Sequence, residues 1–352
     1  MNLYQAASYL RHLLTARSTA GYGVHSPFMF DFLGEVIRAK TDPDIIKSVE
    51  RLRREMLDDK RVISITDLGA GPSGKKRPVR KISEIAATAA LPVREAGLLA
   101  RTVKELRIKN YELRIGEQGS GSKEQGAWSM EQGAQSTERG ARGMGHGARG
   151  LLGANDESCK AGELGEESKE FSARYQEIGN GDRGIILELG TSLGISTLAM
   201  ALAAEETKVV SAEGNPALQA QKTKVVSVEG CPALAALARE NLDRHGAGNI
   251  RLLNMEFDDA LEKLREEGIK VSFAFIDGNH RGEALMHYVH TIRELGEEMI
   301  IVADDIHLNR DMYRAWNCLA TSGTVPVTLE TFRFGILFFL NKLTPGRYRI
   351  RY

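Results

Sequence analysis

Cysteine is scarce in this chain. Cys159, Cys231 and Cys318 are the only three in 352 residues, and they lie far apart. So odd and sparse a set provides neither a disulfide framework nor a paired metal-ligand motif, and it suits a reducing compartment. Net charge is lacking as well, since 47 basic residues balance 47 acidic ones. Without a global field of one sign, composition argues against nucleic acid or an anionic membrane as a partner. No apolar run approaches the ~20 residues that span a bilayer. The first residues, Met1 to Ser8, have neither the basic nor the apolar stretch of a signal peptide. The expectation is a cytoplasmic protein with no membrane association.

The most informative stretch present is Ile185-Ile-Leu-Glu-Leu-Gly-Thr-Ser-Leu-Gly-Ile-Ser-Thr197. An apolar run bearing Glu188 leads into a loop with Gly190 and Gly194, and a helix-forming run extends from Ser196 to Ala204. A buried strand, a glycine loop and a helix together present backbone N–H groups to an adenosyl ligand. The loop spacing is Gly-x-x-x-Gly. A dinucleotide site would read Gly-x-Gly-x-x-Gly, so the spacing favours S-adenosylmethionine over NAD.

Beyond Gly184 the pattern alternates regularly between strand and helix. Strands are expected at 185–189, 225–228, 250–253, 273–276 and 299–303, and helices at 196–204, 232–245, 259–267, 283–295 and 311–319. This calls for a doubly wound, Rossmann-like α/β sheet. The last two β-rich runs, 325–331 and 334–340, are joined by a short turn at Phe332-Arg333 and should pair antiparallel.

Residues 1–110 read as mainly helical: Leu3 to Thr15, Pro43 to Leu57 capped by Asp42, and Ile82 to Leu106 divided at Pro92. Between them, Asp67-Leu-Gly-Ala-Gly71 looks at first like a second nucleotide loop. It runs instead into Lys75-Lys-Arg-Pro78 with no helix packed directly on it, which reads as a turn and a basic connector. Residues 116–182 are rich in glycine and polar side chains and poor in large apolar ones. Such a composition cannot offset chain entropy by burial. Three parts are therefore expected: a helical region (1–110), a low-complexity disordered insertion (111–182) and the α/β domain (183–352). The arginine–glycine pairs of the insertion lack interleaved aromatics, so no RNA contact is read from them.

A direct repeat complicates the second strand. Thr207 to Leu218 recurs with two changes as Thr223 to Leu234, so Glu213 and Glu229 are both candidates for the strand-end acid that binds ribose hydroxyls. Glu213 has the better distance from Gly190, and Glu229 the better continuation, because Pro232 opens an amphipathic helix. The second copy is preferred. After the third strand, Glu256 and Phe257 can meet an adenine by polar contact and stacking. The fourth strand ends in Asp277, with His280 close behind. The fifth ends in Asp304-Asp305, and His307 lies two residues on. If those strands are neighbours, Asp277, Asp304 and Asp305 converge as oxygen ligands suited to Mg²⁺ or another divalent cation. Asp277 and His280 are the candidate acid–base pair.

The ordered set Glu188-Leu-Gly-Thr-Ser-Leu-Gly194, the acidic second strand end, Phe275-Ile-Asp-Gly278 and Val302-Ala-Asp-Asp-Ile-His307 resembles the class I S-adenosylmethionine-dependent methyltransferases. Within them it is most similar to the small O-methyltransferases of the catechol and caffeoyl-CoA type. Gly21-Tyr-Gly-Val-His-Ser-Pro-Phe-Met-Phe30 adds a likeness to a bacterial branch of these enzymes. The resemblance covers residues 184–340. It implies cofactor contacts at Glu188, Gly190, Thr191, Ser192, Gly194, Glu229, Glu256, Phe257 and Asp277, and methyl transfer to a small-molecule acceptor. In metal-dependent relatives an Asp-Asn pair comes after the fifth strand. Here Asp305 stands at the asparagine position, which changes the charge of such a site. The rival readings are an NAD-dependent oxidoreductase and a non-catalytic methyltransferase-like domain. The sequence leaves open the acceptor and the oligomeric state.

Overall fold

The computed structural model describes residues 3–20, 24–65, 79–108, 184–205 and 225–352. The 67–71 glycine loop, the 111–182 insertion, Tyr22 and the first repeat copy with Glu213 lie outside the described residues.

The short apolar runs form one sheet. Its strands are β3 (Ile185–Leu189), β4 (Val225–Val228), β5 (Ile250–Leu253), β6 (Val271–Ile276), β7 (Met299–Ala303), β8 (Val327–Glu330), β9 (Gly335–Phe339) and β10 (Gly346–Arg349). Their spatial order is β10-β8-β9-β7-β6-β3-β4-β5. From β3 the chain builds outward through β4 and β5 on one side and through β6 and β7 on the other, all parallel. The boundary between β3 and β6 is thus the topological switch point, where open α/β sheets bind ligands at their carboxyl ends.

Side chains alternate between the two faces of the sheet. Ile186, Phe273, Phe275, Ile300, Val302, Ile336 and Phe338 enter one core. Leu187, Leu189, Ala274, Ile276, Ile301 and Leu337 enter the other. Burial on both faces explains why these strands read as continuous apolar runs.

The first face is covered largely from the N-terminal region: α2 (Pro27–Phe32), α3 (Pro43–Asp58), α4 (Ile82–Thr88) and α5 (Val93–Ile108), together with α6 (Ile195–Glu205) and α7 (Pro232–Arg244). Helix α3 begins as its sequence implies, with the Asp42 carboxylate accepting from Asp44 N at 2.8 Å. It buries Ile45, Val49, Leu52 and Met56 along one stripe. Helix α6 is apolar nearly all round, as suits a helix enclosed on every side. The second face carries α8 (Phe257–Glu266), α9 (Gly282–Arg293) and α10 (Arg310–Thr321).

Several elements depart from the sequence reading. Helix α2 was not expected. Ser26 caps it, accepting from Met29 N at 3.3 Å, and Pro27 opens it. Phe28 and Phe32 of this helix meet Phe338 edge-on at 5.2 and 5.0 Å. Val62–Ser64 (β1) pairs antiparallel with Val79–Lys81 (β2) in a separate two-stranded sheet. The β8–β9 hairpin is antiparallel as expected. The edge strand β10, parallel to β8, was missed because Gly-Arg-Tyr-Arg has no apolar run. Helix α8 starts at Phe257, two residues before the expected start, with Glu256 at the N-cap position.

Helix α1 (Leu3–Thr15) stands apart from the face layers. His12 bonds to the Ile350 carbonyl and Ser8 to His307, so the helix crosses the carboxyl ends of β7, β8 and β10.

Candidate active site at the carboxyl edge

The loop after β3 is shaped by its glycines. Gly190 has φ +109°, and a Cβ there would stand 2.1 Å from the Asp277 carbonyl oxygen, so only glycine lets the two strand ends approach. Gly194 has φ +82° and Ser192 φ +50°. Buried Asn241 of α7 pins the loop by donating to the Leu193 carbonyl at 3.0 Å.

Two glutamates flank this loop in different ways. Glu188 is fully buried and turned inward. Its Oε2 accepts from the Ser227 hydroxyl at 2.5 Å and from the Thr197 hydroxyl, tying β3 to β4 and to the first turn of α6. Its Oε1 has no partner. Burial pushes this carboxyl up to about 7, against the hydroxyls of Ser196, Ser227 and Thr197. Thr191 joins the same cluster, its hydroxyl 2.5 Å from that of Ser227. Glu229 ends β4 and faces the loop: Ser192 N donates to Oε2 and Cys231 N to Oε1, each at 2.9 Å. Burial raises its pKa too. The second repeat copy therefore supplies strand β4, helix α7 and the acid beside the glycine loop.

Glu256 is exposed, and Phe257 is half-buried at the start of α8. The Phe257 ring meets Tyr288 edge-on at 5.6 Å and lies where a Cβ on Gly278 would collide with it at 2.6 Å. Asp258, in the first turn of α8, meets His287 Nε2 at 2.7 Å.

The aspartates that follow β6 and β7 form a group beside the switch point. Burial, and after it the charges of Asp304 and Asp305, hold the Asp277 carboxyl well above the usual carboxylate range. The Asp305 carboxyl is raised by its own burial and by the charge of Asp304. His280 Nε2 lies 3.9 Å from Asp277 Oδ1. Asp304 is buried and gives both oxygens to Arg333, at 2.6 Å to Nε and 2.5 Å to Nη2. Arg333 also lies 3.6 Å from Asp305. The expected divalent-cation site fits this arrangement poorly. The guanidinium already supplies the positive charge, and the three aspartates do not form a group of convergent ligand atoms among the described residues.

Sequence reasoning named Asp304 and missed Arg333, which was read only as part of a turn. The β7–β9 register pairs Ala303 with Gly335, which brings the ends of the two strands close enough for the long Arg333 side chain to reach Asp304. His307 is no solvent-facing base. It is buried, with its nitrogens engaged by Ser8 and Glu330. Of the N-terminal aromatics, Phe28 packs into the core while His25 and Phe30 are exposed.

Residues 187–306 match the model of a family described as a methyltransferase domain. That segment runs from within β3 to just beyond β7 and holds the glycine loop after β3 and the acid that follows β4. Similar solved structures include an O-methyltransferase from Bacillus cereus in complex with SAH, at 17% identity, 49% of this chain, 89% of that one and TM-score 0.33. Another is the O-methyltransferase TomG from Streptomyces achromogenes in complex with SAM, at 17% identity, 50% and 80% coverage and TM-score 0.34. A third is a putative caffeoyl-CoA O-methyltransferase from Staphylococcus aureus, at 16% identity, 49% and 90% coverage and TM-score 0.33. No curated protein sequence matches this chain.

Proposed function

We propose that the chain is an S-adenosylmethionine-dependent methyltransferase that methylates an oxygen of a small-molecule acceptor. One observation carries this reading: at the switch point, within the family-matched segment, Gly190 makes room between two strand ends and Glu229 lies on Ser192 N. The residues fit the cofactor. Gly190, Thr191, Ser192 and Gly194 form its cradle, Glu229 takes the ribose hydroxyls and Phe257 borders the adenine. Glu188 Oε1 is a buried acceptor left without a partner beside that loop. When bound, S-adenosylmethionine supplies an electrophilic methyl group on a sulfonium.

The chain's own residues handle the proton. An acceptor hydroxyl must lose its proton as its oxygen is methylated. Asp277, raised above the ordinary carboxylate range, is a stronger base than an exposed aspartate once ionised. His280, half-buried nearby, passes the proton toward water. Arg333 fixes Asp304 and offsets the negative charge around the acceptor. Helix α1, at the carboxyl edge, borders the acceptor in this reading, and α2–α5 serve as a packing layer. No step is assigned to Mg²⁺, so adding Mg²⁺ to metal-depleted protein should leave the rate unchanged.

Isothermal titration with S-adenosylmethionine tests the reading. One saturable site is expected. Glu229→Gln should weaken it about 10- to 100-fold, the worth of a hydrogen bond to a charged group. The absence of binding to the native chain would end the proposal. A screen of phenols, catechols and carboxylates then identifies the acceptor class, and binding without transfer to any of them would favour a non-catalytic domain.

A further inference from the structure

We propose that His12, His307 and Glu330 form a binding site for a divalent transition-metal ion of the zinc type. The site is separate from the aspartates of the transfer centre. The three residues come from α1, from the connection after β7 and from the end of β8, and all are buried.

The distances suit a shared ion. Glu330 Oε1 lies 3.4 Å from His12 Nδ1 and 3.1 Å from His307 Nε2, and all three ligand atoms lie within 4.8 Å of one another. Bonds of about 2.0–2.1 Å in a tetrahedron place neighbouring ligand atoms roughly 3.3 Å apart. The outward nitrogens are also held as those of ligating histidines are. His12 Nε2 donates to the Ile350 carbonyl at 2.9 Å, and His307 Nδ1 meets the Ser8 hydroxyl at 2.5 Å. The His307 ring is stacked between Tyr313 and Phe332, at 4.5 and 4.9 Å, which fixes its plane.

Hydrogen-bond accounting makes the case for a cation. A carbonyl only accepts, so His12 Nε2 must carry a hydrogen. In the neutral ring Nδ1 then presents a lone pair to a carboxylate oxygen, which is repulsive unless a positive charge lies between them. The rest of the carboxylate is satisfied. Arg349 Nη2 and Trp316 Nε1 donate to Oε2 at 3.0 and 2.9 Å, while Arg349 Nε, 2.7 Å from Oε1, makes no hydrogen bond to it. A carboxylate has about four lone-pair positions. Those of Oε2 are filled, and both imidazoles face Oε1.

Two histidines and a glutamate make a three-ligand zinc set that leaves a fourth position open. That position faces a cavity of about 190 Å³ bordered by Tyr4, Ser8, Arg11 and Tyr313. Water or a small anion is the chemistry that would complete the site there.

The test uses the full chain, stripped of metal by chelation and titrated calorimetrically with zinc chloride. One equivalent is expected to bind. Removing an outer-shell partner of a metal ligand costs about 10–100-fold, so His12→Gln should weaken zinc binding by at least about 100-fold. Its far-ultraviolet dichroism and melting would establish that it folds. Cobalt(II) should give the visible absorption of a tetrahedral site in the native chain and not in His12→Gln. No stoichiometric zinc binding, or equal binding by His12→Gln, would overturn the proposal and leave His12 as a protonated imidazolium bonded to Glu330. Metal binding is read directly, so the outcome does not depend on the transferase reading.

Discussion

The two halves of the carboxyl edge are wired over different lengths of chain. Around β3 and β4, Glu188 bonds to Thr197 nine residues on and to Ser227 39 residues on. Around β7 to β9, Asp304 meets Arg333 across 29 residues, and His12 meets Glu330 across 318. The first half is neutral hydroxyls around carboxyls that burial pushes toward their protonated form. In the second, Asp304 is matched to a guanidinium, and the donors around Glu330 hold its carboxyl far down against the effect of its burial. One half manages charge by avoiding it and the other by pairing it. The two should therefore fail differently when cut.

The sharpest break is at Asp304. Asp304→Ala leaves the Arg333 guanidinium with only the longer contact to Asp305. Removing one partner of a buried pair costs about 3–5 kcal/mol, much of it from the stranded charge. Denaturant unfolding should give a loss of that order. The Asp304→Ala/Arg333→Ala double variant should lose clearly less than the sum of the two singles. Additive losses would mean that the pair carries no coupling and that this half is not charge-matched.

In the other half the equivalent break is steric. Gly190→Ala must hold a left-handed backbone and place a methyl against the Asp277 carbonyl oxygen. A loss of about 3 kcal/mol is expected from the strain and the backbone shift together. Gly246→Ala is the control, because its φ of +74° brings the strain while nothing lies within 4 Å of the added carbon. That variant should lose only about 1–2 kcal/mol and keep its cofactor affinity, whereas Gly190→Ala should bind S-adenosylmethionine far more weakly. Equal losses in the two variants would mean that the close approach of β3 and β6 is not what Gly190 provides.

The same contrast decides what could be read from the sequence. The glycine loop was legible because its constraints lie within ten residues: an apolar run, a turn that needs positive φ, and a helix start. The parallel sheet was legible because burial on both faces leaves unbroken apolar runs. Glu229 was separable from Glu213 only by its downstream neighbours, the amphipathic run of α7 that Pro232 opens. Arg333 and the His12–His307–Glu330 group carry no local signal. Their meaning arises when the hairpin register brings position 333 beside 304 and α1 returns over the strand ends. Charge is what such distant contacts are made of, and a lone arginine in a turn looks like any solvated residue. Glu188 was legible as a site residue, but its inward direction was not, since a strand's alternation fixes the face and not the depth.

Glu188 offers the finest test, because burial sets its carboxyl near 7 against the usual 4.5. The folded chain holds this proton more tightly than the unfolded chain does. Its contribution to stability is therefore complete below pH 4.5 and is lost as pH rises to about 7. The full change is worth about 3 kcal/mol. Glu188→Gln keeps the shape and removes the titration, at the cost of an amide group with no partner beside it. That orphan costs about 1–3 kcal/mol. At pH 8 the variant should exceed the native chain by about 1 kcal/mol, and its stability should vary less between pH 5 and 8. Urea unfolding at the two pH values measures both, and S-adenosylmethionine titration of the same variant separates two roles. Unchanged affinity makes Glu188 a clamp on α6 alone, whereas weaker binding at undiminished stability makes its free oxygen a cofactor contact. A native pH slope retained in Glu188→Gln would mean that the burden of burial in this half lies on Glu229 or Asp277 instead.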